Sequence, residues 1–191
     1  MKTDSDVSTS NHAPVAAFDQ PAVTLTIEEL REAVHLGVER ILRSLAEGRR
    51  PRFPYAHGQM WSAHIMGALG EAVVRKHTGW PWPKGVNTFR SVPDVGNAEV
   101  RWNSGVWRYG RDVPLLKIRN DERPGTRCIL VSGEAPTFVV RGWIESQDAS
   151  SLGWRDESKP PCWWVSHLRL RPIAELERVV AEETRINQGE E

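Results

Sequence analysis

The chain has only two cysteines in 191 residues, Cys128 and Cys162. They stand far apart, and neither belongs to a Cys-x-x-Cys pair. That argues against a disulfide framework or a zinc finger and leaves two small apolar residues for a core. Long apolar runs are missing too, and none approaches the roughly 18 residues of a membrane span. The opening "MKTDSDVSTSNHAPVAAFDQPAV" has neither the basic start nor the apolar stretch of a secretory signal. A cytoplasmic protein is the expectation. There is no G-x-S-x-G elbow and no P-loop, which removes the commonest hydrolase and nucleotide-binding signatures.

Net charge is also absent, with 25 Lys and Arg against 25 Asp and Glu. The distribution is uneven, however. Between Arg49 and Arg127 stand fourteen lysines and arginines against six acids, while both ends are acidic. A basic middle is compatible with a nucleic-acid face, or with a solvated mixed surface. Tyrosine and phenylalanine are scarce, but there are nine tryptophans. Most belong in a core or against turns, since each buries a large area; composition does not single out any that serve as stacking platforms.

Residues 1–24 are polar and aperiodic and read as a disordered tail. Residues 25–187 read as a single domain. Thr26 with Glu29 forms a capping box, and Leu30, Val34, Val38, Ile41 and Leu45 follow at helical spacing until Gly48. A second helix is expected over Met60–His77, with Trp61, Ile65, Ala68, Leu69, Ala72 and Val73 as its buried stripe. His64, Glu71 and Arg75 fall along one edge of that stripe, which puts Glu71 at the boundary of core and surface. Strands are expected near Val86–Val95, Ala98–Trp102, Trp107–Tyr109, Pro114–Arg119, Thr126–Ser132 and Thr137–Ile144. Residues 146–161 read as a surface loop, "CWWVSHLRL" as a last strand or extended segment, and Pro172 as the start of a final amphipathic helix. The fold class is α/β (mixed α+β), a central mixed β-sheet flanked by helices.

Within this frame "VPDVGNAEVRW", Val92 to Trp102, stands out. Gly96-Asn97 is a favoured two-residue hairpin turn. It would pair Val95 with Ala98 and set Asp94 opposite Glu99. Asp94, Glu99 and Arg101 would share one face, and Val95, Ala98, Val100 and Trp102 the other. Two directly opposed acids repel, with Cβ atoms about 5 Å apart. A hard divalent cation held by both is one remedy. A plain turn with a surface Arg–Glu pair is the bland alternative.

Pro93-Asp94 followed by Glu99-Val100-Arg101 resembles the PD-(D/E)XK nuclease superfamily, the restriction-endonuclease-like fold. The upstream "GALGEAVVRKHTG" is similar to that superfamily's first core helix. The resemblance covers about Met60 to Arg119 and extends more loosely to small nuclease-like proteins of bacteriophages. It implies a metal-dependent nuclease acting on DNA in preference to RNA, with Mg²⁺ or Mn²⁺ as cofactor. Glu71, Asp94, Glu99 and Arg101 would be the catalytic set. Glu71, Asp94, Glu99 and the carbonyl of Val100 would be the metal ligands. His64, Arg75, Lys117 and Arg119 would contact nucleic acid, and the resemblance allows a homodimer in a bacterial or phage-infected cell. The departure is Arg101, which stands where the superfamily carries lysine. Arginine stays protonated and cannot act as a general base, although it can stabilise charge in the transition state. The alternative is a nuclease-fold protein without activity that binds nucleic acid or serves assembly.

Overall fold

The computed structural model describes residues 20–49, 59–86, 92–104, 106–108, 111–157 and 160–188. Helix α1 spans Ile27–Ala46 and begins with the expected box. The Thr26 hydroxyl accepts from the Glu29 N–H at 3.2 Å, and Glu29 Oε2 accepts from the Thr26 N–H at 2.8 Å. Thr26→Ala leaves one helix-end donor unpaired and is expected to cost about 1 kcal/mol, read as a lowered urea midpoint at unchanged slope.

The face α1 buries differs from the expected one. Ala33, Leu36, Gly37 and Ile41 are buried, whereas Leu30, Val34 and Val38 are half-buried and Leu45 is 52% exposed. Helix α2, Gln59–Thr78, explains the shift. A Cβ on Gly37 would lie 2.7 Å from the Ile65 Cα, so the helices meet backbone to backbone over small residues. In α2 every residue from Ala68 to Val74 is buried, while Trp61, expected in the stripe, is 40% exposed.

The main sheet has four strands: β1 (Ala22–Thr24), β2 (Ala98–Trp102), β6 (Arg127–Glu134) and β7 (Thr137–Glu145), in the order β1-β7-β6-β2. The β2–β6 pair is parallel and the other two pairs are antiparallel, so the sheet is mixed. Ile129 and Val131 of β6 face the helices, and Cys128 and Leu130 face away. Both sets are buried, which is why β6 reads as a continuous apolar run rather than an alternating one. Strands β3 (Val106–Arg108) and β4 (Arg111–Val113) form a separate hairpin. A second sheet, β5 (Leu115–Arg119), β9 (Cys162–Ser166) and β8 (Trp154–Asp156), packs beneath the first through Leu116, Ile118 and Val165.

The α/β class and the central mixed sheet are therefore as expected, but the layering is not symmetrical. Helices α1, α2 and α4 (Ile173–Gln188) contribute to the core on one face, including Ile173 and Leu176 of α4. The other face carries the second sheet and the one-turn helix α3 (Ala149–Leu152). No helix among the described residues is long and apolar enough to cross a membrane.

Three local expectations are corrected. Residues 22–24, assigned to the tail, form β1; Val23 is buried and Val140 N–H donates to the Pro21 carbonyl at 3.0 Å. Such an edge strand is selected by backbone pairing, which leaves little sequence signal. Residues 92–95 form a bend and turn with one bridge, Val95 to Ala98, instead of a strand; residues 87–91 of that expectation lie outside the described ones, as do 1–19 of the tail. The supposed surface loop after Glu145 contains a 3₁₀ turn, α3 and β8. Buried Ser146 and Ala149 anchor it, too few apolar positions to show a period.

Candidate acidic site at the edge of the main sheet

Strand β2 is an edge strand, and the site forms around its exposed side. The Gly96-Asn97 turn has the expected register: Val95 N–H and Ala98 O lie 3.1 Å apart, Ala98 N–H and Val95 O 2.9 Å. Gly96 sits at φ 57° with its Cα against the Trp80 ring, where a side chain would be both strained and crowded. Its N–H donates to the Pro81 carbonyl at 2.7 Å, so the loop after α2 holds the turn in place. Behind the turn Val95, Ala98 and Val100 are buried.

The apolar face being committed to the core, the polar face gathers the acids. Arg101 Nη1 lies 3.0 Å from Glu99 Oε2 and 3.6 Å from Asp94 Oδ2, and Nη2 lies 3.3 Å from Glu122 Oε2. Asp94 Oδ2 also accepts from the Val100 N–H at 2.8 Å. The structure thus brings Asp94, Glu99 and Arg101 together. Burial, and then the nearby charge of Glu71, push the Asp94 carboxyl up from 3.8 to about 6. Burial and the charge of Asp94 raise Glu99 likewise. For Arg101, burial opposes the charged form, but Glu99 and Asp94 outweigh it and hold the guanidinium protonated.

Glu71 is not the boundary residue that helical periodicity implies. It is 3% exposed and faces α1. Arg40 grips both its oxygens, at 2.6 and 2.8 Å, and Trp82 Nε1 donates to Oε2 at 3.0 Å. Arg40 Nε also donates to the Gly85 carbonyl at 2.8 Å, tying the loop 79–85 to α1. Helix α2 sits on β2 at Gly70, where a Cβ would be in ordinary contact with Val100 and Trp102. Glu71 is thereby placed near enough for its charge to act on Asp94.

The remaining expected residues are less central. His64 is half-buried in α2; desolvation and then the charge of Arg40 lower its pKa. Arg75 is exposed in the last turn of α2, with no ion pair to the cluster among the described residues. Lys117 lies over the Trp164 ring at 5.3 Å. Arg119 Nε is 3.6 Å from Glu122 Oε2. Sequence reasoning missed Arg40, Trp82 and Glu122. Arg40 is one of several charges on an amphipathic helix, and Glu122 sits in a polar loop between β5 and β6. Neither has a local pattern that reveals its partner. Glu122 is nonetheless the cluster's most enclosed acid besides Glu71, with its side chain 4% exposed.

Among the described residues no group of three or more His, Cys, Asp or Glu is placed so as to hold a metal ion. Glu71 does not fit as a ligand in this arrangement, because protein donors engage both its oxygens. Asp94 and Glu99 do fit, as two hard oxygen donors of the number Mg²⁺ usually takes from a protein. The Val100 carbonyl accepts from Arg101 Nη1 at 3.2 Å. Comparison with protein families, with curated proteins and with solved structures finds no match to this chain.

Proposed function

We propose that this chain is a metal-dependent nuclease of the PD-(D/E)XK type that hydrolyses phosphodiester bonds in DNA, with Mg²⁺ or Mn²⁺. The observation that supports it best is the convergence of Asp94 and Glu99, from the two sides of one tight turn, on the edge of a buried parallel strand pair, with Asp94 held at raised proton affinity. Carboxylates crowded at such a cost are typical of sites that take up a cation. In this reading Asp94 and Glu99 hold the metal, which when bound supplies an activated water and polarises the phosphoryl oxygen. Arg101 cannot accept a proton, and its part is a fixed positive charge for the phosphate oxygens. Arg40 and Trp82 position Glu71, whose charge strengthens the attraction of the site for a cation. Lys117, Arg119, His64 and Arg75 remain the proposed nucleic-acid contacts. A homodimer and a cytoplasmic location belong to the same proposal.

A second reading has a specific observation behind it. Arg101 already neutralises Asp94 and Glu99, and Arg40 neutralises Glu71. A protein so neutralised could bind DNA without cutting it. The test is cleavage of single- and double-stranded DNA in Mg²⁺ or Mn²⁺ against EDTA. Metal-dependent cleavage that falls at least about a hundredfold, some 2.7 kcal/mol, in Asp94→Ala/Glu99→Ala supports the nuclease. Undiminished cleavage by that double variant sinks it. Binding without cleavage in the wild type selects the second reading.

A further inference from the structure

The two terminal nitrogens of Arg101 are divided between two kinds of partner. Nη1 lies 3.0 Å from Glu99 Oε2 and 3.6 Å from Asp94 Oδ2, the two carboxylates that fit a cation. Nη2, the other arm of the fork, lies 3.3 Å from Glu122 Oε2. We propose that Glu122 is a positioning residue of this site. It holds Arg101 by Nη2 when a divalent cation takes Asp94 and Glu99, so that the guanidinium pivots about Glu122 and turns Nη1 towards a phosphate oxygen; this rests on the nuclease reading above. The same turn releases the Val100 carbonyl, to which Nη1 donates at 3.2 Å, the third oxygen that the resemblance implies as a metal ligand.

The three acids differ in how they meet water. The side chains of Asp94 and Glu99 are 24% and 15% exposed, that of Glu122 only 4%. A cation arriving from solvent meets Asp94 and Glu99 first. It competes with Nη1 for their oxygens and repels it, whereas Nη2 keeps its partner. Glu122 does not follow, because its loop is tied down. Its N–H donates to the Arg119 carbonyl at 3.1 Å, the buried Ser146 hydroxyl donates to the Arg123 carbonyl at 2.5 Å, and Gly125 N–H donates to Gln147 Oε1 at 2.6 Å. Arg119 Nε lies 3.6 Å from the same Glu122 oxygen, so part of that charge is balanced without Arg101 and the grip on Arg101 allows a pivot. This gives a reason for arginine where the superfamily carries lysine. An ammonium is a single point, but a guanidinium offers separate donors in a rigid fork, and one arm holds Glu122 while the other changes partner.

The test uses the full ¹⁵N-labelled chain, without nucleic acid, titrated with Mg²⁺ and followed by NMR. In the wild type Mg²⁺ should shift the backbone amides of Asp94 and Glu99 and the Arg101 Nε–H signal, while the Arg101 Nη protons stay resolved, as for a guanidinium held in place. In Glu122→Gln, Mg²⁺ should bind at least about fivefold more weakly, and at saturation those protons should merge into the averaged signal of a freely turning guanidinium. Glu157→Gln, which removes an exposed pair with Arg155, should behave as the wild type. An Arg101 signal that responds to Mg²⁺ in the same way in wild type and Glu122→Gln overturns the proposal and leaves the metal site standing. Amides of Asp94 and Glu99 that ignore Mg²⁺ in the wild type overturn both. Should Glu122→Gln fail to fold, wild-type crystals soaked in Mn²⁺ decide. Arg101 Nη2 within about 4 Å of Glu122, with Nη1 withdrawn from Glu99, supports the proposal, and an Arg101 released from Glu122 overturns it.

Discussion

Replacing Arg101 with methionine is expected to lower the stability of the folded protein by about 3–5 kcal/mol at pH 7.5. The guanidinium is the shared counter-charge of Glu99, Asp94 and Glu122, at 3.0, 3.6 and 3.3 Å. Methionine keeps much of the stem's packing but leaves these enclosed carboxylates facing one another without a cation. Removing one partner of a buried ion pair is costly because the remaining charge has lost its water and gained nothing. The effect carries a pH signature. Without Arg101 the carboxyls bind protons more tightly folded than unfolded. The variant is therefore closest to the wild type in acid and loses ground as pH rises and the acids ionise. Urea unfolding at pH 5 and pH 7.5 reads both the size and the sign. A loss under about 1 kcal/mol at pH 7.5, the range of an exposed surface pair, would contradict this account of Arg101.

Asp94→Asn should act in the opposite direction. Folding raises the Asp94 carboxyl from 3.8 to about 6. The folded protein thus binds the proton more tightly than the unfolded chain. Stability is fully present below pH 3.8 and is lost as pH rises through 6. Asparagine does not ionise, and its side-chain carbonyl can still accept from the Val100 N–H. The variant should equal the wild type in acid and exceed it by about 3 kcal/mol above pH 7, from a shift of about two units at 1.36 kcal/mol each. A gain of this kind at the expense of a working acid is the expected trade at a functional site. Thermal midpoints from pH 4 to pH 8 measure it, and a variant less stable than the wild type at pH 7.5 would refute it. Mg²⁺ sharpens the comparison: a cation bound by Asp94 and Glu99 raises the wild-type midpoint and leaves that of Asp94→Asn nearly unmoved.

Much of the fold is legible because it is written in local patterns. The capping box at Thr26 and Glu29 starts α1 where expected, Ala98–Trp102 is β2 residue for residue, and β6 and β7 differ from expectation by one or two residues. Asp94, Glu99 and Arg101 share a face because a two-residue turn and strand alternation allow little else. Periodicity served less well where backbones touch. Gly37 packs against Ile65 in α1's contact with α2, and a residue with no side chain carries no hydrophobic signal. Edge strand β1 and the short β8 were illegible for a related reason, since their pairing partners lie more than a hundred residues away or across a bend.

The sequence by itself determined the turn, the two opposed acids and the arginine that follows them, since all three depend on neighbours within eight residues of one another. Only the tertiary structure decided how their charge is balanced. It carried Arg40 across 31 residues to Glu71 and Glu122 across 21 residues to Arg101. Charge acts through space, and chain distance is silent about it. The fold therefore turned Glu71 from a surface-edge ligand into an enclosed, paired charge, and it set Glu122 against the second arm of Arg101.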